Sequence, residues 1–293
     1  MPLIKVDFEN FVFRSHYFGE LMGKAQGKSN MEIYQETLAR YEEKQRRYAS
    51  LANTATKTAD KLLEECGDLD DKLVKLHRNK DIPILSDTCK SRLIQIYTEE
   101  TTGRKKQIQS KYFEKGTLTE EDSITYYSLR TGTMHRKNKV EANNGYVKGS
   151  LDFESDDVVV DTKGSWDIFT FDATVAKAIN PVYHWQLDCY MWLWNKKKGH
   201  LAYCLHNTPD YLIAKEEKYL IQQFVGREEE FKIAHKEMMQ RMTYDDITQL
   251  ERKIRIYEVE RSEERIELAK ATIPHLRNYL TNIQEKDYEI TCY

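Results

Sequence analysis

Gly145-Tyr146-Val147-Lys148-Gly149-Ser150-Leu151-Asp152-Phe153-Glu154-Ser155-Asp156-Asp157-Val158-Val159-Val160-Asp161-Thr162-Lys163-Gly164-Ser165-Trp166 is the stretch on which the fold of this 293-residue chain turns. It holds two strand-like runs, 146–153 and 158–163, joined by Glu154-Ser155-Asp156-Asp157, the length of a four-residue hairpin loop. Val158-Val159-Val160 is β-branched, as a buried strand requires. Asp161 and Lys163 follow directly and, being two apart, point to one face of a strand. Asp152, near the end of the partner strand, reaches the same face. Two carboxylates and one ammonium at the edge of an apolar sheet are costly to bury unless a cation joins them. A divalent metal on oxygen ligands removes that cost, and Lys163 then acts on a bound water. Alone, Asp-x-Lys is a weak signal that an ordinary exposed ion pair at a strand end explains better.

The segments downstream extend a sheet. Pro181 favours a helix start, and the helix covers about 182–195. Gln186 and Tyr190 are four apart and share one of its faces, while Trp185, Met191, Trp192 and Trp194 supply core. Residues 200–207 read as a strand, 215–242 as helix, and 254–260 alternate as an edge strand. Ser262 caps a last helix over 263–283, in which Pro274 predicts a kink or interruption.

Upstream, Ser15 caps a short helix, and His16 with Glu20 forms a surface i, i+4 pair. Residues 31–65 are rich in helix formers and give one or two long helices, with another over 68–78. Asp81-Ile82-Pro83 marks a boundary, after which Ser86 caps a helix that Gly103 ends. Glu120, Glu121 and Asp122 lead a helix to about 129, where their charge favours the helix dipole. The polar, basic residues 131–144 form a loop or strand edge, and His135 and Glu141 are solvated there or assist the site. This divides the chain into an N-terminal segment with a helical arm, 1–80, and a core with C-terminal helices, 81–293.

Gly149-x-x-Asp152, Asp161-x-Lys163 and Gln186-x-x-x-Tyr190 thus lie in order on a strand, strand, helix pattern. The set resembles the PD-(D/E)xK nuclease superfamily, in its RecB-like and phage lambda-exonuclease-like (YqaJ-type) branch, over about 85–283. Arg14-Ser15 looks like the arginine-serine start of those phage relatives. One departure is Leu151, where many members carry proline. The resemblance implies an α/β fold: a restriction-endonuclease-like core with a small central mixed sheet flanked by helices, plus the helical arm. It implies a deoxyribonuclease with Asp152, Asp161 and Lys163 catalytic. It places one or two Mg²⁺ or Mn²⁺ ions on Asp152, Asp161, the Thr162 carbonyl and Glu120, the last through Gly116-x-x-x-Glu120, with Glu121 as the neighbouring alternative. It gives Ser165, Gln186 and Tyr190 to DNA. The subtype it implies is a phage recombination exonuclease on duplex ends, working with a single-strand annealing protein and assembling as a homo-oligomer, a trimer in some relatives.

Composition bounds these expectations. Hydrophobic residues at 40% and charged residues at 32% give a soluble, ordered chain without a membrane-length apolar run or a signal peptide's apolar stretch, hence a cytoplasmic location, host cytoplasm if phage-encoded. Net charge is -3, yet residues 101–150 hold ten Lys/Arg against five Asp/Glu, so this stretch is +5 and the remainder -8. Cys66, Cys89, Cys189, Cys204 and Cys292 form no Cys-x-x-Cys pair or closely spaced C-terminal set, so they are reduced structural thiols and no iron–sulfur cluster is expected. The rival readings are an endonuclease or nickase on the same fold, a catalytically inactive DNA-binding or interaction protein, and a purely structural helical protein.

Overall fold

A computed structural model describes residues 4–51, 57–107, 110–176 and 180–291. In chain order the elements are β1 (Phe13–Arg14), α1 (Phe18–Leu21), α2 (Asn30–Leu51), α3 (Lys57–Asn79), α4 (Asp87–Thr102), α5 (Lys111–Leu118), α6 (Glu120–Thr131), β2 (Ala142–Asn143), β3 (Val147–Gly149), β4 (Phe153–Ser155), β5 (Val158–Ser165), α7 (Ile168–Ala176), α8 (Pro181–Trp194), β6 (Lys198–Leu205), α9 (Asp210–Gln223), α10 (Glu228–Met242), β7 (Ile254–Glu260) and α11 (Glu263–Thr291).

The β-branched run sits in the middle of the main sheet, whose order is β4-β5-β6-β7. β5 and β6 are parallel along eight registered pairs, from Val158↔Lys198 to Ser165↔Leu205, and antiparallel strands flank them. This is the expected small mixed sheet, with β7 at its edge. Alternation along β5 feeds two layers. Val159 packs with Leu187, Tyr190 and Met191 of α8, and Val160 packs with Ile124 and Tyr127 of α6.

The first strand-like run does not survive as one strand. Val147–Gly149 joins a separate three-stranded sheet, β1-β3-β2, and Phe153–Ser155 joins the main one. Asp156-Asp157 alone forms the hairpin turn, because Ser155 pairs with Val158. Asp156 adopts φ 45°, the left-handed backbone that tight hairpin turns require.

Residues 4–21 are built into the core, although sequence grouped them with the arm. β1 runs parallel to β3, and Phe8, Phe13, Phe18 and Leu21 pack with residues of α4 and α11. Gln284 of α11 closes this layer: its Oε1 accepts from Val6 N at 3.0 Å and its Nε2 donates to Val6 O at 3.0 Å. The arm is α2 and α3, packed on each other through Thr37, Ala59, Leu62, Cys66 and Leu73. At its base, Asn30 Nδ2 donates to Ile82 O at 2.9 Å.

Ser86 Oγ accepts from Cys89 N at 3.2 Å, and Gly103 ends α4 at φ 68°. Asn180 Oδ1 accepts from Val182 N at 3.0 Å ahead of Pro181, and Ser262 Oγ accepts from Arg265 N at 3.2 Å. Asp188, buried on α8, ties that helix to α11 by accepting from Ser262 N at 3.1 Å and pairing with Arg265. Three expectations are corrected. Ser15 opens a 3₁₀ turn without capping it, Glu20 pairs with Arg92 rather than His16, and Pro274 does not interrupt α11. Cys66, Cys89, Cys189 and Cys204 are free and buried, while Cys292 lies outside the described residues. Among the described residues no helix is long and apolar enough to cross a membrane.

Candidate active site

Asp161 and Lys163 lie on the α8 face of β5, two residues beyond Val159 in the same alternation. Asp161 is only 3% exposed. Lys163 Nζ lies 2.6 Å from its Oδ2, and that oxygen has no partner of hydrogen-bond geometry among the described residues. Gln186 Nε2 donates to Asp161 Oδ1 at 3.3 Å and to Tyr190 Oη at 2.9 Å. The helical spacing of Gln186 and Tyr190 makes this possible, since both then face β5.

The Tyr190 hydroxyl is also hydrogen-bonded to Ser15. Gly149 explains how that residue arrives. A Cβ at Gly149 would lie 2.3 Å from Ser15 Oγ and 3.1 Å from Tyr190 Cε1, so only glycine leaves room for the contact. Gly149→Ala is expected to destabilise the fold by about 1–3 kcal/mol, as overpacking does. Adding Ser15→Gly should restore part of the loss in denaturant titrations. Wild-type stability in Gly149→Ala would show that the approach is looser than this.

Asp152 sits where β4 ends. Beyond Phe153 the outer edge of β5 has no antiparallel partner, and Asp152 supplies one. Its Oδ2 accepts from Thr162 N at 2.6 Å and Thr162 Oγ1 at 2.7 Å. Burial, and then the charge of Asp161, push the Asp152 carboxyl up to about 7 against the pull of those bonds. Burial also weighs against the Lys163 ammonium, but Asp161 and Asp152 outweigh it and hold its pKa above the ordinary lysine value. Lys163 is therefore a firm cation beside Asp161 and Asp152.

Glu120 is the first residue of α6, the helix on the opposite face of the sheet. The α5–α6 corner seats closely on β5, since a Cβ at Gly164 would lie 3.1 Å from Thr119 Oγ1. Glu120 Oε2, however, is paired with Lys137 Nζ at 2.6 Å. Among the described residues no three His, Cys, Asp or Glu side chains are gathered as a metal-binding set. The expected convergence of Glu120 with Asp152 and Asp161 is thus not in place. The remaining donors still suit a hard divalent cation. Asp161 Oδ2 is buried with the Lys163 ammonium beside it, and Asp152 is a carboxyl whose pKa is raised by burial and by the charge of Asp161, so both are oxygen donors that a divalent cation would stabilise.

The residues assigned to DNA are buried, as Asp161 is. Ser165 shares the Asp161 face but is 7% exposed, so it presents no surface hydroxyl to a phosphate backbone. Gln186 and Tyr190 are buried too, and their hydrogen bonds turn inward, to Asp161, to each other and to Ser15. Reading the sequence missed Ser15 and Lys137 as members of this network. Ser15 carried a local capping signal and the arginine-serine resemblance, neither of which points to Tyr190, and Lys137 was one cation among ten in the basic stretch. Lys105, Lys106 and Lys148 from that stretch join Arg14 and Arg92 around a groove of about 530 Å³.

No protein-family model matches the chain, and no curated protein matches it in sequence. Solved structures do match. A phage related exonuclease from Haemophilus somnus 129PT superposes with a TM-score of 0.64 at 19% identity, over 94% of this chain and 96% of that one. An alkaline exonuclease from Laribacter hongkongensis gives 0.49 at 12% identity over 73% and 92%, and its complex with dAMP gives 0.45 at 13% over 70% and 88%. The first likeness spans nearly the whole of both chains. The chain shares the fold of that phage related exonuclease, a mixed α/β fold as its motifs implied.

Proposed function

We propose that this chain is a metal-dependent nuclease that hydrolyses DNA phosphodiester bonds, working as an exonuclease on duplex ends. The main support is the α8 face of β5, where the buried Asp161 carboxylate stands 2.6 Å from the Lys163 ammonium and close enough to Asp152 to raise its pKa. Asp152, Asp161 and the Thr162 carbonyl would hold Mg²⁺ or Mn²⁺, with Glu120 joining from α6. When bound, the ion supplies charge stabilisation at the phosphate. Lys163, kept protonated by Asp161, serves as a donor rather than a base. It directs the attacking water or a phosphate oxygen and meets negative charge as that charge develops. Gln186 fixes the rotation of the Asp161 carboxylate, and Tyr190 with Ser15 fixes Gln186. The fold shared with a phage related exonuclease favours ends over internal nicking.

The test is cleavage of end-labelled linear duplex against closed-circular duplex, with Mg²⁺ or Mn²⁺ and with chelator. Metal-dependent loss of the linear substrate alone is expected. Cleavage of the circle would replace the exonuclease reading, and inertness toward both would end the nuclease reading.

A pH dependence follows from Asp152. Its carboxyl titrates at about 7 in the folded, metal-free chain against 3.8 as the ordinary value. Between those values the folded chain keeps a proton that the unfolded chain has lost. The stability this group contributes is full below 3.8 and falls as pH rises toward about 7. Metal displaces that proton, so the rise in melting temperature caused by Mn²⁺ should grow across the same window. A rise that is flat with pH would count against Asp152 as a ligand.

A further inference from the structure

Lys137 holds the place where the two faces of the site meet. It lies in the stretch between α6 and β2, outside every motif that marked the site. Its ammonium pairs with Glu120 at 2.6 Å, and the charges of Glu120, Asp152 and Glu121 all act to keep it protonated. Its position is set by its neighbour. Asn138 N donates to Asp152 O at 2.6 Å, and Asn138 Nδ2 donates to Val140 O at 2.8 Å and Leu151 O at 3.3 Å. Ser150 Oγ adds a bond to Val140 O at 2.7 Å. The segment carrying Lys137 is therefore laced to the backbone that carries Asp152. The backbone at Lys137 is thereby held beside Asp152, and its ammonium reaches Glu120 as a local counter-charge.

We propose that Lys137 is an intramolecular competitor for the divalent cation, holding Glu120 away from Asp152 and Asp161 until an ion displaces it. This rests on the metal reading of the site given above. The physical reason is a balance of weak against strong. The Lys137 side chain is 42% exposed and that of Glu120 24%, so their pair is solvent-screened and contributes little. A divalent ion offers Glu120 twice the charge at shorter range. The exchange is then inexpensive, and Lys137 is released with its positive charge beside the site, where a phosphate would arrive. In the metal-free state the same pair limits repulsion among Glu120, Glu121 and Asp152. Lys137 thus sets how much free metal is needed before the site assembles. It is a positioning residue, since its effect passes through Glu120.

Mn²⁺ binding to the full-length chain without DNA tests this by calorimetry, on wild type, Lys137→Gln, Lys139→Gln, Asp161→Asn, Glu120→Gln and the Glu120→Gln, Lys137→Gln double variant. Lys139 is an exposed lysine two residues away and controls for net charge. Lys137→Gln should bind Mn²⁺ more tightly by roughly three- to ten-fold, the combined effect of a released surface pair and one fewer cation near the site. Lys139→Gln should gain much less, and in the Glu120→Gln background the Lys137→Gln gain should shrink to the Lys139→Gln level. Affinity in Lys137→Gln no greater than in Lys139→Gln overturns the proposal, provided wild type binds Mn²⁺ in an Asp161-dependent way. A gain of the same size with Glu120 already neutralised also overturns it, because Lys137 would then not act through Glu120. Absence of Mn²⁺ binding in every variant overturns the metal reading of the site, and this proposal with it.

Discussion

Asp161→Asn is expected to abolish Mn²⁺ binding and DNA cleavage together. The substitution keeps the shape of the side chain and an oxygen for Gln186 Nε2, so orientation survives while the charge is lost. The loss should exceed the roughly 10–100-fold typical of removing a group that only supports a metal ligand. It also leaves the Lys163 ammonium, now a quarter exposed, without its closest counter-charge. Stability should therefore fall by about 1–3 kcal/mol, the scale of a buried polar group left unpaired and below that of a wholly buried ion pair. Paired calorimetry and cleavage of end-labelled duplex check both parts. Cleavage at the wild-type rate would remove Asp161 from the chemistry.

Lys163→Met separates catalysis from metal binding. Methionine keeps most of the stem beside Tyr183, whose ring centroid is 5.1 Å from Nζ, and removes only the ammonium. Hydrolysis should drop by roughly 10²–10⁴-fold, the range of a positioned proton-handling group. Mn²⁺ affinity should be retained or rise, since an ammonium is no ligand and its removal leaves Asp161 more negative. Raised metal affinity with collapsed turnover is a signature that misfolding cannot produce. Wild-type turnover would eliminate this lysine and remove the main support for a nuclease.

The strands that carry the chemistry were legible in sequence because their pattern is local. Val158-Val159-Val160 and the Asp-x-Lys spacing specify a strand and a face without reference to anything distant. The same holds for Ser86, Asn180-Pro181 and Ser262, whose caps involve residues two or three positions away. What escaped depends on tertiary context. α7 has poor helix formers, Ile168-Phe169-Thr170-Phe171, and is held by Arg255 donating to Phe171 O at 2.6 Å and Tyr257 donating to Thr174 O at 2.9 Å. A short-range clue existed, because Asp167 Oδ1 accepts from Thr170 N at 2.7 Å as an N-cap does. The break at Ser150–Asp152 could not be read, since one apolar alternation serves two different sheets. The Ser15–Tyr190 contact joins residues far apart in the chain, and no local pattern announces it. Glu120 was found by motif, but its Lys137 partner was lost among equivalent surface cations.

The layer formed by residues 4–21 and α11 has a consequence for how this molecule is made. Val6 and Gln284 exchange two hydrogen bonds across a sequence separation of 278. Phe8, Phe13 and Phe18 share an apolar cluster with Ile273, Leu276 and Leu280, so they find these partners only when α11 has been translated. At about 5–20 residues per second, that interval is tens of seconds. Ser15 is tethered between Phe13 and Phe18, so the brace behind Gln186 and Asp161 is complete only once this layer closes. Over that interval the nascent chain therefore carries an unassembled site and exposed aromatic surface, until α11 emerges.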